Sequence, residues 1–209
     1  MRMAQLSSVA GIPIGTIKFY LREGLLPAGE RTSPNQADYD ERHLRRLRLI
    51  RGLIEVGRLS IVEARRVVDA IDSDIGLAET FEVAQHTVSE QVDAVDLDRG
   101  ALDLVDAAMT GWRVSEDNPG RLAAARVIGT FLAIGQPDER GWLARYAEAA
   151  LLAADADLDE IESRPDREAQ AETVIVGTVL GDALFAALRR AAQEHATSLR
   201  YGTESDGAG

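Results

Sequence analysis

The stretch Met1–Tyr39, MRMAQLSSVAGIPIGTIKFYLREGLLPAGERTSPNQADY, decides how the rest of the chain is read. Met3, Leu6, Val9 and Ala10 recur at three- and four-residue spacing, the apolar face of a short helix. Gly11 stands where that helix stops and Pro13 where a second one begins. In the second segment Ile14, Ile17 and Leu21 are spaced to face inward, which leaves Thr16, Lys18, Phe19, Tyr20 and Arg22 outward or along the rim. Two helices joined by a short turn containing Gly form a helix-turn-helix. An exposed Lys-Phe-Tyr run on the second helix suits the reading of phosphates and base edges.

Leu25-Leu26 and Ala37-Asp38-Tyr39 are short enough to pair as strands, and the loop between them carries Pro27, Gly29, Thr32, Ser33, Pro34 and Asn35, all turn residues. The pattern predicts a wing from which Arg31, Thr32, Ser33 and Asn35 reach phosphates or a minor groove. Asp40 is an N-cap for a helix over 41–56, buried through Leu44, Leu47, Ile50 (or Arg51) and Ile54. Arg42, Arg45, Arg46, Arg48 and Arg51 crowd its other side. Ser60 with Glu63 is a capping box for a further helix, carried by Val62, Ala64, Val67, Val68 and Ile71 to Asp72. The amides at such a start can hold a phosphate, with Arg58 beside them.

Thr16-Ile17-Lys18-Phe19-Tyr20-Leu21 followed by Gly24-Leu25-Leu26 resembles the winged helix-turn-helix of the MerR family of transcriptional regulators, whose usual pattern is Thr-Ile-Arg-Tyr-Tyr-Glu and then Gly-Leu-Leu/Ile. The resemblance covers residues 1–72, including the wing and the helices after it. It implies double-stranded DNA as partner, contacted by Thr16, Lys18, Phe19, Tyr20, Arg22, Arg31, Tyr39, Arg58 and Ser60. Lys18 and Tyr20 would meet mostly phosphate, and Phe19 an apolar base edge such as a thymine methyl. The family usually has an Arg two residues before the wing's last Tyr. Here that place is Ala37, next to Asp38, and Arg31 is the substitute.

Charge divides the chain in the same place. Net charge is −12 overall. Residues 1–72 hold 12 Lys+Arg against 9 Asp+Glu, giving +3; residues 73–209 hold 11 against 26, giving −15, and the two make −12. A basic head on an acidic body suits nucleic-acid binding confined to the head. The chain has no cysteine, which excludes disulfides, thiol redox sensing and thiolate metal sites. No consecutive apolar run approaches the ~18 residues of a membrane span, and the first residues do not form a signal peptide. The expectation is a cytoplasmic protein with no membrane partner.

After the polar joint 73–76, apolar residues run Leu77, Phe81, Ala84, Val88, Val92 (or Gln91), Val95, then Leu102, Val105 and Met109, near a heptad repeat. The pattern predicts helices to about Asp96 and from about Asp98 to Met109, serving either as core or as the antiparallel dimerisation coil that the resemblance implies. Beyond the break at 115–120, helices are expected over 119–135, 137–154, 156–163 and 165–199, with 202–209 a disordered tail. The last helix is the most apolar, and its Gly177 and Gly181 would let another helix pack close.

His43, His86 and His195 stand in different predicted helices with no metal-ligand spacing. The acidic cluster Asp155, Asp157, Asp159, Glu160 and Glu162 lacks the glycine and loop pattern of a calcium site and reads as a solvated helix edge. No nucleophile elbow or phosphate loop appears, so no catalytic residue, metal or cofactor is expected, and the chain reads as a non-enzyme. Trp112, Phe131, Trp142, Tyr146 and Phe185 are either core or the lining of an effector pocket, with Arg145 or Glu148 near to orient a polar ligand.

The fold expected is mainly α: a winged helix-turn-helix head with a small β wing (1–72), linker and dimerisation helices (73–110) and an all-α effector-binding or dimerisation domain (111–201). The resemblance implies a homodimeric regulator on a palindromic promoter site, and it leaves room for RNA polymerase and a small organic effector as partners. A ligand-sequestering helical protein and an architectural DNA-binding module are the alternatives.

Overall fold

The computed structural model describes residues 1–33, 36–89 and 97–201. The expected wing contact Asn35, the heptad positions Gln91, Val92 and Val95, and the tail 202–209 lie outside the described residues. Among those described the chain is mainly α-helical, with one two-stranded antiparallel sheet.

Helices α1 (Met3–Ala10) and α2 (Ile14–Arg22) meet at Gly11, whose φ of 66° lies in the left-handed region that costs a glycine nothing. The Ser7 carbonyl accepts from Ile12 N at 3.2 Å, and the Ser7 hydroxyl donates to Ile12 O at 2.6 Å, closing the turn. The buried face of α2 differs from the sequence expectation. Ile17 and Tyr20 are buried, whereas Ile14 is 39% exposed. Ile14 is the first helical residue, and burying the Tyr20 ring one turn beyond Ile17 removes more apolar surface from water.

The wing is also displaced along the chain. Its strands are β1 (Glu30–Ser33) and β2 (Gln36–Asp38), paired Glu30↔Asp38, Arg31↔Ala37 and Ser33↔Gln36, with the register irregular between Arg31 and Ser33. Leu25 and Leu26 are not strand. Their amides donate to the Tyr20 carbonyl at 3.0 and 3.3 Å, and both side chains are buried in the core. Gly29 is required where β1 approaches, since a Cβ there would lie 2.6 Å from the Asp38 carbonyl.

Helix α3 (Glu41–Glu55) begins at the expected cap: Asp40 accepts from the amides of Arg42 at 2.9 Å and His43 at 3.2 Å. It buries Leu44, Leu47, Ile50 and Leu53, the last in place of the expected Ile54. Helix α4 (Ile61–Asp72) opens on the predicted Ser60–Glu63 box and buries Ala64, Val67, Val68, Ala70 and Ile71, while the expected Val62 is 71% exposed. Arg46 of α3 pairs with Asp72 at the end of α4.

Helix α5 (Leu77–Val88) ends earlier than the heptad pattern suggests, and α6 (Arg99–Ala108) and α7 (Pro119–Ala133) follow. The expected helices 137–154 and 156–163 are one helix, α8 (Trp142–Glu162). It starts late because Gly141 turns the chain at φ 69° and the Asp138 carboxylate caps it, accepting from the amides of Trp142 at 2.7 Å and Leu143 at 2.9 Å. Helix α9 (Arg167–Tyr201) closes the described chain.

One apolar core runs from α1–α4 through Ala84 of α5 to Ile161 of α8 and Val174, Ile175 and Val179 of α9. A second joins Ala101 and Val105 of α6 to Ala125 and Ile128 of α7, with Trp142 and Leu143 packed against it. Arg121 ties α7 to α6 through both Asp106 oxygens, at 2.7 and 2.8 Å. The α3–α4 turn sits directly on α9: a Cβ at Gly57 would lie 2.3 Å from Val179 Cγ1 and 2.7 Å from the Leu53 carbonyl. By length and composition α9 is apolar enough to cross a membrane, although Asp182, Arg189 and Arg190 break any consecutive apolar run. Its first half is built into the core of the head.

Candidate nucleic-acid interface

Helix α2, the start of α1 and the wing enclose an open groove of about 770 Å³. Three cations line it, Arg2, Lys18 and Arg31, together with Gln36 and Ser33 of the wing and the apolar Met3, Ile14 and Leu21. Lys18 is exposed and is the only lysine in the chain. Arg31 is exposed on β1 directly opposite Ala37, the position where the family pattern would carry its arginine. The cation missing from one strand is thus restored on the other, at the same level of the wing.

Arg2 is the groove residue that the sequence reading missed. Its Nη1 donates to Thr32 Oγ1 at 2.7 Å, and its Nε lies 3.4 Å from Asp38 Oδ1. Asp38, an awkward anion beside a nucleic-acid face, is therefore paired with a cation. Just after β2, Tyr39 ties the wing to the start of the chain: its amide donates to the Met1 carbonyl at 2.7 Å and its carbonyl accepts from the Met1 amine at 2.6 Å. The signal in the sequence was a lone arginine immediately before α1, which local patterning does not link to a wing thirty residues on.

The remaining candidates divide. Thr16 is half-buried and Arg22 exposed, its guanidinium 6.0 Å from the Phe19 ring. Phe19 is half-buried, packed against the core with its ring 6.0 Å from that of Tyr20. Tyr20 is 8% exposed, and its phenol is pushed up by burial and then by the nearby Glu55 charge. Tyr39 is 7% exposed, its phenol likewise raised by burial, and its ring stands edge-on to His43 with centroids 5.2 Å apart.

At the start of α4 the Ser60 amide donates to Glu63 Oε2 at 2.7 Å, and the Ser60 hydroxyl accepts from Glu63 N at 3.3 Å. These bonds to Ser60, its amide first, hold the Glu63 carboxyl below its ordinary range. The helix start thus already carries an anion, and Ser60 is committed to the cap. Arg58 is exposed and sits at φ 60°, unusual for a residue with a Cβ. It lines a second cleft of about 310 Å³ with Glu63, Thr87 and Asp182, between the α3–α4 turn, α5 and α9.

Of the expected effector set, Phe131, Trp142 and Tyr146 form an edge-to-face chain with centroids 5.3 and 5.4 Å apart. Arg189 of α9 donates to the Tyr146 hydroxyl at 2.5 and 3.1 Å and covers its ring. Trp112 and Phe185 make no ring contact with this chain among the described residues, and neither groove described above contains any of the five. Arg145 and Glu148 are exposed.

Comparison with known proteins agrees with this geometry. Residues 1–71 match the MerR HTH family regulatory protein. The nodulation protein NolA of Bradyrhizobium sp. is 37% identical over 68 residues, 32% of this chain and 28% of NolA. The HTH-type transcriptional regulator ZntR homolog of Haemophilus influenzae is 40% identical over 50 residues, 24% of this chain and 37% of that one. The chain thus spans only about a third of the curated relatives it matches. The crystal structure of SCO5550 from Streptomyces coelicolor A3(2), described as a proposed transcriptional regulator, superposes with a TM-score of 0.73 at 33% identity, over 99% of this chain and 100% of that one. With its winged helix-turn-helix head and that full-length likeness, this chain belongs to the MerR family of helix-turn-helix transcriptional regulators.

Proposed function

We propose that the chain binds a palindromic promoter site as a homodimer, each copy setting α2 into a major groove and laying its wing along the flanking backbone. The observation that carries this reading is the groove between α2 and the wing, with Arg2, Lys18 and Arg31 on its walls. Lys18 and Arg31 contact phosphate, as does Arg2 where it is not held by Asp38. Thr16, half-buried, and Arg22, exposed, read base edges from α2. Tyr20, Phe19, Tyr39 and Ser60 support the interface from within rather than touching DNA. Arg58 remains a backbone contact in this reading, supported by its exposure and by a backbone conformation that folding alone does not favour.

The head corresponds to residues 1–72, with 73–110 connecting and 111–201 responding. A small organic effector held in 111–201 is supported by the Phe131–Trp142–Tyr146 chain and the Arg189 cation over it. RNA polymerase is the partner at a promoter, and the cytoplasm the place where both are met.

The test is binding of the full chain to labelled DNA from upstream of its own reading frame, with excess non-specific competitor, across a salt series. The wild type forms a sequence-specific complex. Lys18→Ala and Arg31→Ala each weaken it on every sequence and flatten the slope of log affinity against log salt by about 0.9 for each phosphate no longer neutralised. Unchanged slopes in both variants would refute the groove as the DNA face.

A further inference from the structure

We propose that Lys18 is an acylation site: the groove between α2 and the wing gathers a short-chain acyl phosphate, and transfer of its acyl group to the Lys18 amine weakens the hold on DNA. The effect on DNA rests on the reading of that groove as the DNA face; the site itself does not. Of the chain's 23 lysine and arginine side chains, all but Lys18 are arginine. The exception is the cation that α2 places in the groove, where the pattern Thr-Ile-Arg-Tyr-Tyr-Glu carries arginine. For gripping phosphate alone arginine serves better, because its planar guanidinium binds in a two-pronged fork. What lysine brings is a primary amine, which can lose its proton and take an acyl group, whereas a guanidinium stays charged.

The amine is available. Lys18 is exposed, and among the described residues no hydrogen bond or ion pair holds it. Asp38, the carboxylate beside the groove, is taken by Arg2 at 3.4 Å. The chain's other primary amine, at Met1, donates to the Tyr39 carbonyl at 2.6 Å. An acylating agent therefore meets one uncommitted amine.

The surroundings suit a donor that carries phosphate. Arg2 and Arg31 line the same groove and offer its phosphate two guanidinium partners. Met3, Ile14 and Leu21 give a short acyl chain an apolar bed, and about 770 Å³ leaves room for both ends. At the scale of the molecule, the body at −15 repels such an anion and the head at +3 draws it in. In the transfer the ammonium first gives one proton to water. The freed nitrogen lone pair attacks the acyl carbonyl, and a C–N bond forms as the C–O bond to phosphate breaks. Phosphate leaves with that electron pair and takes the second amine proton. The product is a neutral amide, which has lost both the charge and the donors that met DNA phosphate.

The test uses the full chain carrying Arg140→Lys, which sets a second exposed lysine on the acidic body just before α8. Acetyl phosphate is added, and the acetylation rate at each lysine is followed by peptide mass spectrometry. Lys18 should react roughly tenfold faster than the introduced lysine, as expected where a charged cleft concentrates its substrate. The preference should vanish in about 1 M salt, and a neutral acetyl ester should modify both alike. Acetylated wild type should then bind its upstream DNA more weakly, with a log affinity–log salt slope flatter by about 0.9, as Lys18→Gln does untreated. Lys18→Arg should bind like wild type and be indifferent to the treatment. Equal rates at the two lysines with acetyl phosphate would overturn the site, while a weakened Lys18→Gln complex would leave the groove as the DNA face. Selective acetylation of Lys18 with no change in affinity or slope would overturn both the effect on DNA and that reading of the groove.

Discussion

Tyr20 and Lys18 stand two residues apart on α2 and do opposite work. The Tyr20 ring fills the core beside Ile17 and Leu25, while the Lys18 amine stands in the groove. Tyr20→Ala should therefore cost about 3 kcal/mol in denaturant unfolding, as other buried aromatic truncations do. Lys18→Ala should stay within about 0.5 kcal/mol of wild type and yet weaken DNA binding. A Tyr20→Ala protein of undiminished stability would place the ring outside the core. Lys18 was legible because an exposed cation on a second helix has few other uses. Tyr20 was not, because a phenol suits a core edge as well as a phosphate, and the choice depends on Leu25 and Leu26 folding back onto it.

At the scale of elements, what was legible was local. The caps at Asp40 and Ser60–Glu63 and the stop at Gly11 depend on residues within one turn, and all three form as read. What was misread depends on contacts across the chain. The wing strands moved outward because Leu25 and Leu26 are claimed by the core, and α8 begins late because Asp138 reaches over Gly141 to cap it. The stripe on α5 was visible, but not that α9 would cover it. That same packing sets Asp182 of α9, still exposed to solvent, at the edge of the cleft where partial desolvation raises its carboxyl, with the Asp157 charge on α8 adding to the shift. Partial desolvation raises the carboxyl of Asp157, itself exposed, in the same direction. Arg58 lines the same cleft without reversing the effect. A carboxyl with a raised pKa in the folded state binds its proton more tightly there than when unfolded. Its ionisation therefore removes stability as pH rises through the folded value, and acidification toward the ordinary 3.8 restores it. Asp182→Asn should accordingly be more stable than wild type at pH 7, by urea titration, with the gap closing as pH falls toward 4. A variant equal to or weaker than wild type at pH 7 would mean that Asp182 has a compensating partner.

Over the whole molecule, charge and packing divide differently. The charge boundary lies near residue 72, which made the head readable from composition alone. The apolar core ignores that boundary and runs from α1 to Val179. Gly57 packed on Val179 joins the α3–α4 turn of the head directly to the first half of α9.

If DNA lies in the groove between α2 and the wing, the single lysine of the chain is covered by it. The full chain is treated with an amine-selective reagent, with and without its upstream DNA in the presence of competitor, and modification of Lys18 is read by peptide mass spectrometry. Lys18 should react freely in the unbound protein and be strongly protected in the complex. A complex that forms while Lys18 reacts at its unbound rate would contradict it.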